Sequence, residues 1–410
     1  MIYVGIDIAK IAHWVAAIDE QGRTVLKPVR FTQDAEGFRR LGELLSSLKQ
    51  QDEVTIGFEA TGHYWVLLAE ELVRQGYTPQ VFNPILSGEA TRTTVRGRKT
   101  DADDALMIAK VVRDKHFVVV PLPTAAQAQA KRLARERQRT VARAANAKKR
   151  LGSRLDLVFP EYASLWGELC CGSSLALLAQ WPSARLLASA NASELTKLLK
   201  KRSRGHLGSE RARDLISAAK ASIAVAREDA ATEMAIRLAA QEIVLLEEQV
   251  AAYDKVLKKL DLPGKANLQT LPGIASVLAT IILAEIVTIE RFTSKDPRRA
   301  QRRRSRGRNG VHRLLAYAGM DCRIRESGNW RGTDHMSKRG SRYLRTAIYQ
   351  AAQVARHHEA FKDIWHQHYV VMKQPYKVAL SHVARKLLQA VYGVLSRNVP
   401  FDAAAFKKAA

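Results

Sequence analysis

The sequence predicts an α/β domain with a mixed sheet, followed by a helical middle region and a mostly helical C-terminal part. Three observations carry this prediction. The first 30 residues alternate as three strands, residues 35–110 alternate helical and strand patterns, and from about residue 123 the apolar spacing becomes helical, with a heptad repeat between Ala235 and Leu260.

The strands read as YVGIDI, HWVAAID and TVLKPVRF, with Glu20–Arg23 (EQGR) as the turn between the last two. Then come a helix (AEGFRRLGELLSSLK), a strand (EVTIGF), a helix (YWVLLAEELVRQG), a short strand (TPQVF) and a helix in KTDADDALMIAK. Three antiparallel strands followed by alternating helices and strands is the order of ribonuclease-H-like folds, in which acids gather at strand ends.

Four acids occupy such places. Asp7 closes the first apolar run and Glu59 the fourth, while Asp101 and Asp104 lie three apart, on one face of a helix. Mg²⁺ takes oxygen ligands in octahedral geometry, and two ions roughly 4 Å apart stabilise both the attacking and the leaving oxygen of a phosphoryl transfer. Carboxylates from separate elements meet that requirement.

The chain has 410 residues, room for two or three domains, and 66 Lys plus Arg against 40 Asp plus Glu, a formal net charge of +26. That balance favours a polyanionic partner, nucleic acid first and an acidic membrane surface second. No run of 18 or more apolar residues occurs and a strand pattern starts at once, so a cytoplasmic protein without a membrane span or signal peptide is expected. Cys170, Cys171 and Cys322 form no CxxC pair and read as buried fillers. His357, His358, His366 and His368 fit no ligand spacing and read as a solvated helix face.

Two segments are strongly basic. Lys131–Arg150 holds nine cations and one acid in a helix-forming composition that would be positive almost all round. Lys131, Arg132, Arg135, Arg139 and Arg143 are its candidate phosphate contacts, against the plainer reading of a solvated helix. Lys295–Arg308, with Arg298, Arg299, Arg302, Arg303 and Arg304, reads as an exposed arm that orders on nucleic acid. A compact helical insert is expected from about Trp181 to the loop KKRSRGHLG. The heptad then places Ile236, Ile243, Val250 and Leu257 seven apart, with Ala239, Leu246, Tyr253 and Leu260 three later. Such a seam buries itself against another helix, either in a second subunit or in residues 127–155 folded back.

Near the C-terminal end, Pro272 and Gly273 in LPGI resemble a helix-hairpin-helix turn with amides for a phosphate, or a tight turn without a ligand. Ser327 lies in a polar loop among Arg323, Arg325, Arg331, Lys338 and Arg339. Its hydroxyl suits attack on a phosphate with arginines holding the developing charge, although Ser-Gly is also a common turn.

The motifs GIDIAK (5–10), FEATGHYW (58–65), Asn83-Pro84, RKTDADDALMIA (98–109), LPGI (271–274), LAYAGM (315–320), RESG (325–328) and MSKRG (336–340) occur in one order. In that order the chain resembles the DEDD transposases of the insertion sequence 110 family. The resemblance implies metal-binding acids at Asp7, Glu59, Asp101 and Asp104, holding two Mg²⁺ ions with Mn²⁺ as a substitute, and a catalytic serine at Ser327. Asp103 is an extra acid outside that set. It implies a RuvC-like catalytic domain over residues 1–125, a helical and coiled-coil region over 126–265, and a C-terminal transposase domain over 266–410. It also implies donor and target DNA as partners, a structured guide RNA in some members, and a dimer or tetramer in which one subunit's serine meets another's acids, in a nucleoid-associated protein. Two features depart from shorter members: residues 151–235 exceed a minimal coiled coil, and the basic block separates Arg291-Phe292 from LAYAG.

Two other readings compete. A RuvC-like endonuclease would cut with metal-activated water and leave Ser327 as a turn residue. A non-enzymatic scaffold would use the acids only to cap helices. Actin-like kinases also begin with strand-Gly-Ile-Asp, but their later glycine loops are absent here and the charge is too positive.

Overall fold

Apolar alternation at the N-terminal end yields three antiparallel strands, β1 (Ile2–Asp7), β2 (Ala12–Ile18) and β3 (Thr24–Thr32). The computed structural model describes residues 1–60, 62–82, 100–114, 121–292, 310–323, 326–327, 330–331 and 335–408, with backbone alone for the described positions of 322–335. These fall into two units, Met1–Leu122 and Pro123–Ala410.

In the first unit β4 (Val54–Glu59) and β5 (Gln80–Phe82) join parallel to β1, giving the order β3-β2-β1-β4-β5. Helix α1 (Ala35–Lys49) starts where the Asp34 carboxylate accepts the Gly37 N–H at 2.8 Å. With α2 (Trp65–Arg74) it covers the sheet face that carries Val4, Ile6, Ile56 and Phe58. The opposite face, with Tyr3 and Phe82, packs on Ile108, Ala109 and Val112 of α3 (Asp101–Asp114). Strands and helices lie where the alternation predicts them.

Among its described residues the second unit is helical apart from two short strand pairs. Helix α4 (Ala125–Val158) opens with a capping box: the Gln127 N–H reaches Thr124 Oγ1 at 3.3 Å and the Thr124 N–H reaches Gln127 Oε1 at 3.0 Å. The basic helix is therefore longer than its charged run, and it is not positive all round. Ala130, Ala134, Thr140, Ala144, Ala147, Leu151 and Leu155 form a buried stripe.

A five-member insert follows: a 3₁₀ turn (Pro160–Leu165) and helices α5 (Gly172–Gln180), α6 (Ala184–Ala188), α7 (Ala192–Arg202) and α8 (Ser209–Lys220). It begins about twenty residues before the expected start at Trp181. Tyr162, Leu175 and Leu178 belong to the same core as Leu195 and Leu215, and the Ser-rich α5 is too short to show a period.

Helix α9 (Ala230–Lys259) then returns along α4. Arg137 pairs with Asp254, Lys148 Nζ lies 2.6 Å from Glu247 Oε1, and an Arg154 guanidinium N–H donates to the Ala235 carbonyl at 3.2 Å. Rising numbers on α4 thus meet falling numbers on α9, so the pair is antiparallel. Ile236, Ala239, Ile243, Leu246 and Leu257 of the heptad are buried, which makes α4 of the same chain the partner of this seam.

The C-terminal core gathers α10 (Lys265–Leu268), α11 (Ser276–Ile286), α12 (Gly310–Tyr317), α13 (Arg342–Ala355), α14 (Lys362–Trp365), a π-helical turn (His366–Val371), α15 (Tyr376–Arg397) and α16 (Ala403–Lys408). In the LPGI turn Gly273 has φ +79°, and a Cβ there would overlap the Ala351 carbonyl oxygen. That glycine serves a left-handed turn and a close approach to α13, in line with the tight-turn reading. Among the described residues no helix is long and apolar enough to cross a membrane.

Candidate functional site

Asp7 closes β1 and Glu59 closes β4, and the parallel register Ile6↔Phe58 continues to set the two acids side by side at the carboxyl ends of neighbouring strands. Alternation turns both toward α3, the face that Gly5 and Gly57 share. A Cβ on Gly5 would overlap the Ala105 carbonyl and stand 2.9 Å from Ala109 Cα, and one on Gly57 would overlap a Val112 methyl. Helix α3 lies closer to the sheet than any side chain permits. Two residues along β1 advance about 6.6 Å, and four residues back along α3 about 6 Å. The same step that leads from Gly5 to Asp7 leads from Ala105 to Asp101, with Asp104 on the adjoining turn.

The electrostatics agree with this placement. Asp7 is pushed up to about 6, first by burial and then by the negative charges of Asp104, Asp101 and Glu59, against a smaller opposing pull from the Ile8 N–H. Asp104, Asp101 and Glu59 all lie near enough to raise the half-buried Asp7. Among the described residues no three Asp, Glu, His or Cys side chains are drawn tightly enough to enclose an ion. The two facts are compatible, because like charges repel, and closing the group takes a counter-charge. An all-carboxylate donor set fits a hard divalent cation. Asp103 turns elsewhere: its carboxylate accepts the Thr100 hydroxyl at 2.7 Å, while the Asp103 N–H caps back onto Thr100 Oγ1 at 3.3 Å. It fastens the start of α3.

Gly5→Ala forces a methyl into helix backbone that has no rotamer to yield. It is expected to destabilise the N-terminal unit by about 3 kcal/mol or more and to shift α3 away from Asp7. Urea unfolding of the full chain checks the first expectation, and loss of any Mg²⁺-induced stabilisation checks the second.

Sequence reasoning missed a buried strut behind the acids. His13 is fully buried; its Nδ1 accepts the Ala9 N–H at 3.3 Å and its Nε2 faces Gln33 Oε1. The tautomer with hydrogen on Nε2 satisfies both, and burial holds His13 below its ordinary range. Gln33 Nε2 in turn donates to the Tyr64 carbonyl at 3.4 Å. The strut links the turn after Asp7 to the segment after Glu59. The only signal in the sequence is a histidine at an inward position of the run HWVAAI.

Ser327 lies in the other unit, on the strand pair β7 (Glu326–Ser327) and β8 (Trp330–Arg331), opposite Trp330. Flanking it, β6 (Cys322–Arg323) pairs with β9 (His335–Met336). The base of this excursion is locked backbone to backbone. Lys338 N–H donates to the Gly319 carbonyl at 3.0 Å and Ser341 N–H to the Tyr317 carbonyl at 2.7 Å. A Cβ on Gly340 would overlap the Tyr317 carbonyl oxygen, so LAYAGM and MSKRG are two halves of one joint.

Beneath the joint, wholly buried Glu285 accepts Arg135 Nε at 2.8 Å, Arg135 Nη2 at 3.2 Å and the Ser341 hydroxyl at 2.8 Å. Ser341 also caps α13 through the Leu344 N–H at 3.1 Å. Nothing in the apolar run SVLATIILAEI marks Glu285 as a hub.

That hub reassigns part of the basic helix. Arg135 is committed to Glu285, and Lys131 is half-buried beside it, with its ammonium held below the usual lysine range by desolvation. Arg139 pairs with Glu136 on its own helix. Arg132, Arg143 and Lys149 are exposed and make no ion pair with a described residue. Lys338 and Arg339 are exposed at the joint. Arg298, Arg299, Arg302, Arg303, Arg304 and Arg325 lie outside the described residues, and of Arg331 only the backbone pairing is described. Of the C-terminal histidines, His368 stacks flat on His382 with centroids 3.6 Å apart, and the Arg356 Nε–H donates to His357 at 3.1 Å.

Comparison with known proteins matches both ends of the chain to one group. Residues 4–160 match the family model of the DEDD transposase of IS110 elements, and residues 303–367 match the model for transposases of the IS116/IS110/IS902 family. An uncharacterized 44.8 kDa protein of insertion element IS116 from Streptomyces clavuligerus is 25% identical over 86% of this chain and 84% of its own length. A protein named as a transposase candidate for the IS117 mini-circle of Streptomyces coelicolor is 27% identical over 70% of this chain and 71% of its own.

Proposed function

The chain belongs to the IS110 family of insertion-element transposases, whose two models together span more than half of it, and from that premise we propose a DNA strand-transfer enzyme that joins four carboxylates to a serine nucleophile. The observation that carries the reading is Asp7, pushed up to about 6 by burial and by three acids arriving from β4 and α3. We read residues 1–125 as RuvC-like, which the order β3-β2-β1-β4-β5 with acids at the strand ends supports. Residues 126–265 are then a helical, coiled-coil spacer and 266–410 the serine-bearing transposase domain.

Asp7, Glu59, Asp101 and Asp104 would hold two Mg²⁺ ions, or Mn²⁺ in their place, whose chemistry is to polarise a phosphate and hold charge on its oxygens. The chain's own residues do the rest. The Ser327 hydroxyl attacks phosphorus; an Oγ–P bond forms as the bond to the leaving sugar oxygen breaks, and that oxygen leaves as a hydroxyl. A hydroxyl of a second strand then displaces the serine, so the phosphodiester is conserved without ATP. The paired acids and the serine belong to different units, and a dimer or tetramer in which one copy's serine serves another's acids meets that need. Free cations on α4 and at the joint suit donor and target DNA and a structured guide RNA.

The test is an incubation of the full chain with Mg²⁺ and DNA carrying both flanks of its gene, stopped in detergent. A protein–DNA adduct that requires Mg²⁺ and survives denaturation is expected. Cleaved DNA without an adduct would refute the serine and favour metal-activated water, a reading supported by the fact that all four acids lie in the N-terminal unit alone.

Arg132→Ala, Arg143→Ala and Lys149→Ala combined should lower the slope of log affinity against log salt by about 2 to 3, since each phosphate contact contributes about 0.9. Fluorescence anisotropy with duplex DNA over a salt series reads this directly, and an unchanged slope would remove α4 from the nucleic-acid surface.

A further inference from the structure

The surface around α14 and the π-helical turn carries an assembly that the strand-transfer chemistry does not use. Trp365 and Tyr369 stack with centroids 4.5 Å apart and planes 19° from parallel, and Tyr376 meets both edge-on. The Arg356 guanidinium lies 4.7 Å from the Trp365 centroid and 5.2 Å from that of Tyr376. A π-helical turn over His366–Val371 holds the rings in this arrangement, a backbone form that costs stability and recurs at functional sites. Apolar side chains then turn outward: Tyr369 is 43%, Val370 51%, Val371 56% and Met372 51% exposed. Four successive apolar side chains left in solvent point to a binding face.

The charges around it select the occupant. Lys362, Lys373 and Lys377, on the same helices and the turn between them, are exposed, and Arg356 lies over two of the rings, against exposed Glu359 and Asp363. A contact between two copies of this patch would bring together two surfaces that each carry more cations than acids, on a chain of formal charge +26. Phosphates meet no such repulsion, and a stacked ring backed by a guanidinium is the surface on which an unpaired base lies flat. We propose that Trp365, Tyr369 and Tyr376, with Arg356, form a stacking platform for unpaired bases of a single-stranded nucleic acid. The inference extends the nucleic-acid reading of the protein but needs neither the metal nor Ser327.

The test measures binding of fluorescein-labelled oligo-dT and oligo-rU, and of a duplex of equal length, to the full chain in EDTA. Tyr369→Ala should weaken the single strands about tenfold, the worth of one lost stack, with duplex binding unchanged and Tyr369→Phe restoring affinity. A larger loss on oligo-dT or on oligo-rU identifies DNA or RNA as the strand that is held. Equal loss on the duplex, or no loss at all, would overturn the platform. Unchanged single-strand binding with a smaller sedimenting species would overturn it in favour of a contact between copies. Because metal is absent, failure of strand transfer elsewhere leaves this result intact.

Discussion

Ser327→Ala is expected to abolish the detergent-stable adduct and every joined strand, a fall of at least about 10⁴-fold in recombination, while binding of duplex DNA stays at the wild-type level. The reason is chemical. On the proposed mechanism alanine removes the oxygen that would form the bond to phosphorus. The fold is spared, because the backbone of β7 keeps its pairing with Trp330 and the joint below it is held by Gly319, Gly340 and Ser341. Quantifying the adduct by gel after radiolabelling the DNA, with affinity measured on the same preparation, separates chemistry from binding. Joined strands from the alanine variant would show that another group attacks. Cleavage without joining would show hydrolysis, with the acids working alone.

Much of the N-terminal unit was legible because its signals are local. Alternation of period two marks β1 to β4, and each strand-end acid stands at the edge of an apolar run, so Asp7 and Glu59 could be named before any pairing was known. What brings α3 to them was not legible. Gly5 and Gly57 matter through the backbone they admit, and a glycine in a strand does not say which helix it faces. The same holds in the second unit. The heptad on α9 was visible, whereas its partner on α4 is a stripe of alanines hidden under nine cations, since alanine is at home on either side of a helix. Glu285 and His13 sit inside apolar runs, where a polar residue reads as noise until its partners, Arg135 and Ser341 or Ala9 and Gln33, arrive from elsewhere. The insert began early for a related reason, because Tyr162 and α5 acquire their meaning only from a core completed by α7 and α8.

Asp7→Asn should stabilise the metal-free protein while removing its activity, and this opposition of effects separates a metal site from a structural cluster. In the folded chain Asp7 holds its proton to about pH 6 against an ordinary value of 3.8. The folded form therefore binds more protons than the unfolded chain between those two values, so stability is lost as pH rises from about 4 through about 6 and stays lost above it. At neutral pH the cost, reduced by solvent screening at a half-exposed carboxylate, is on the order of 1 to 2 kcal/mol. Asparagine carries no charge, so the N-terminal unit of Asp7→Asn should unfold at a higher temperature at pH 7 in EDTA, and the two proteins should converge near pH 4. Adding Mg²⁺ should raise the melting temperature of the wild type, because a cation bound to the folded form relieves the same repulsion, and should leave the variant unmoved. Strand cleavage should fall by at least about 10³-fold, as expected when a group that positions transition-state charge is removed. Calorimetry across pH with and without Mg²⁺ reads all of this. If Asp7→Asn destabilised the chain in EDTA and still answered to Mg²⁺, the four carboxylates would be caps and surface charges, and the metal reading would fall with them.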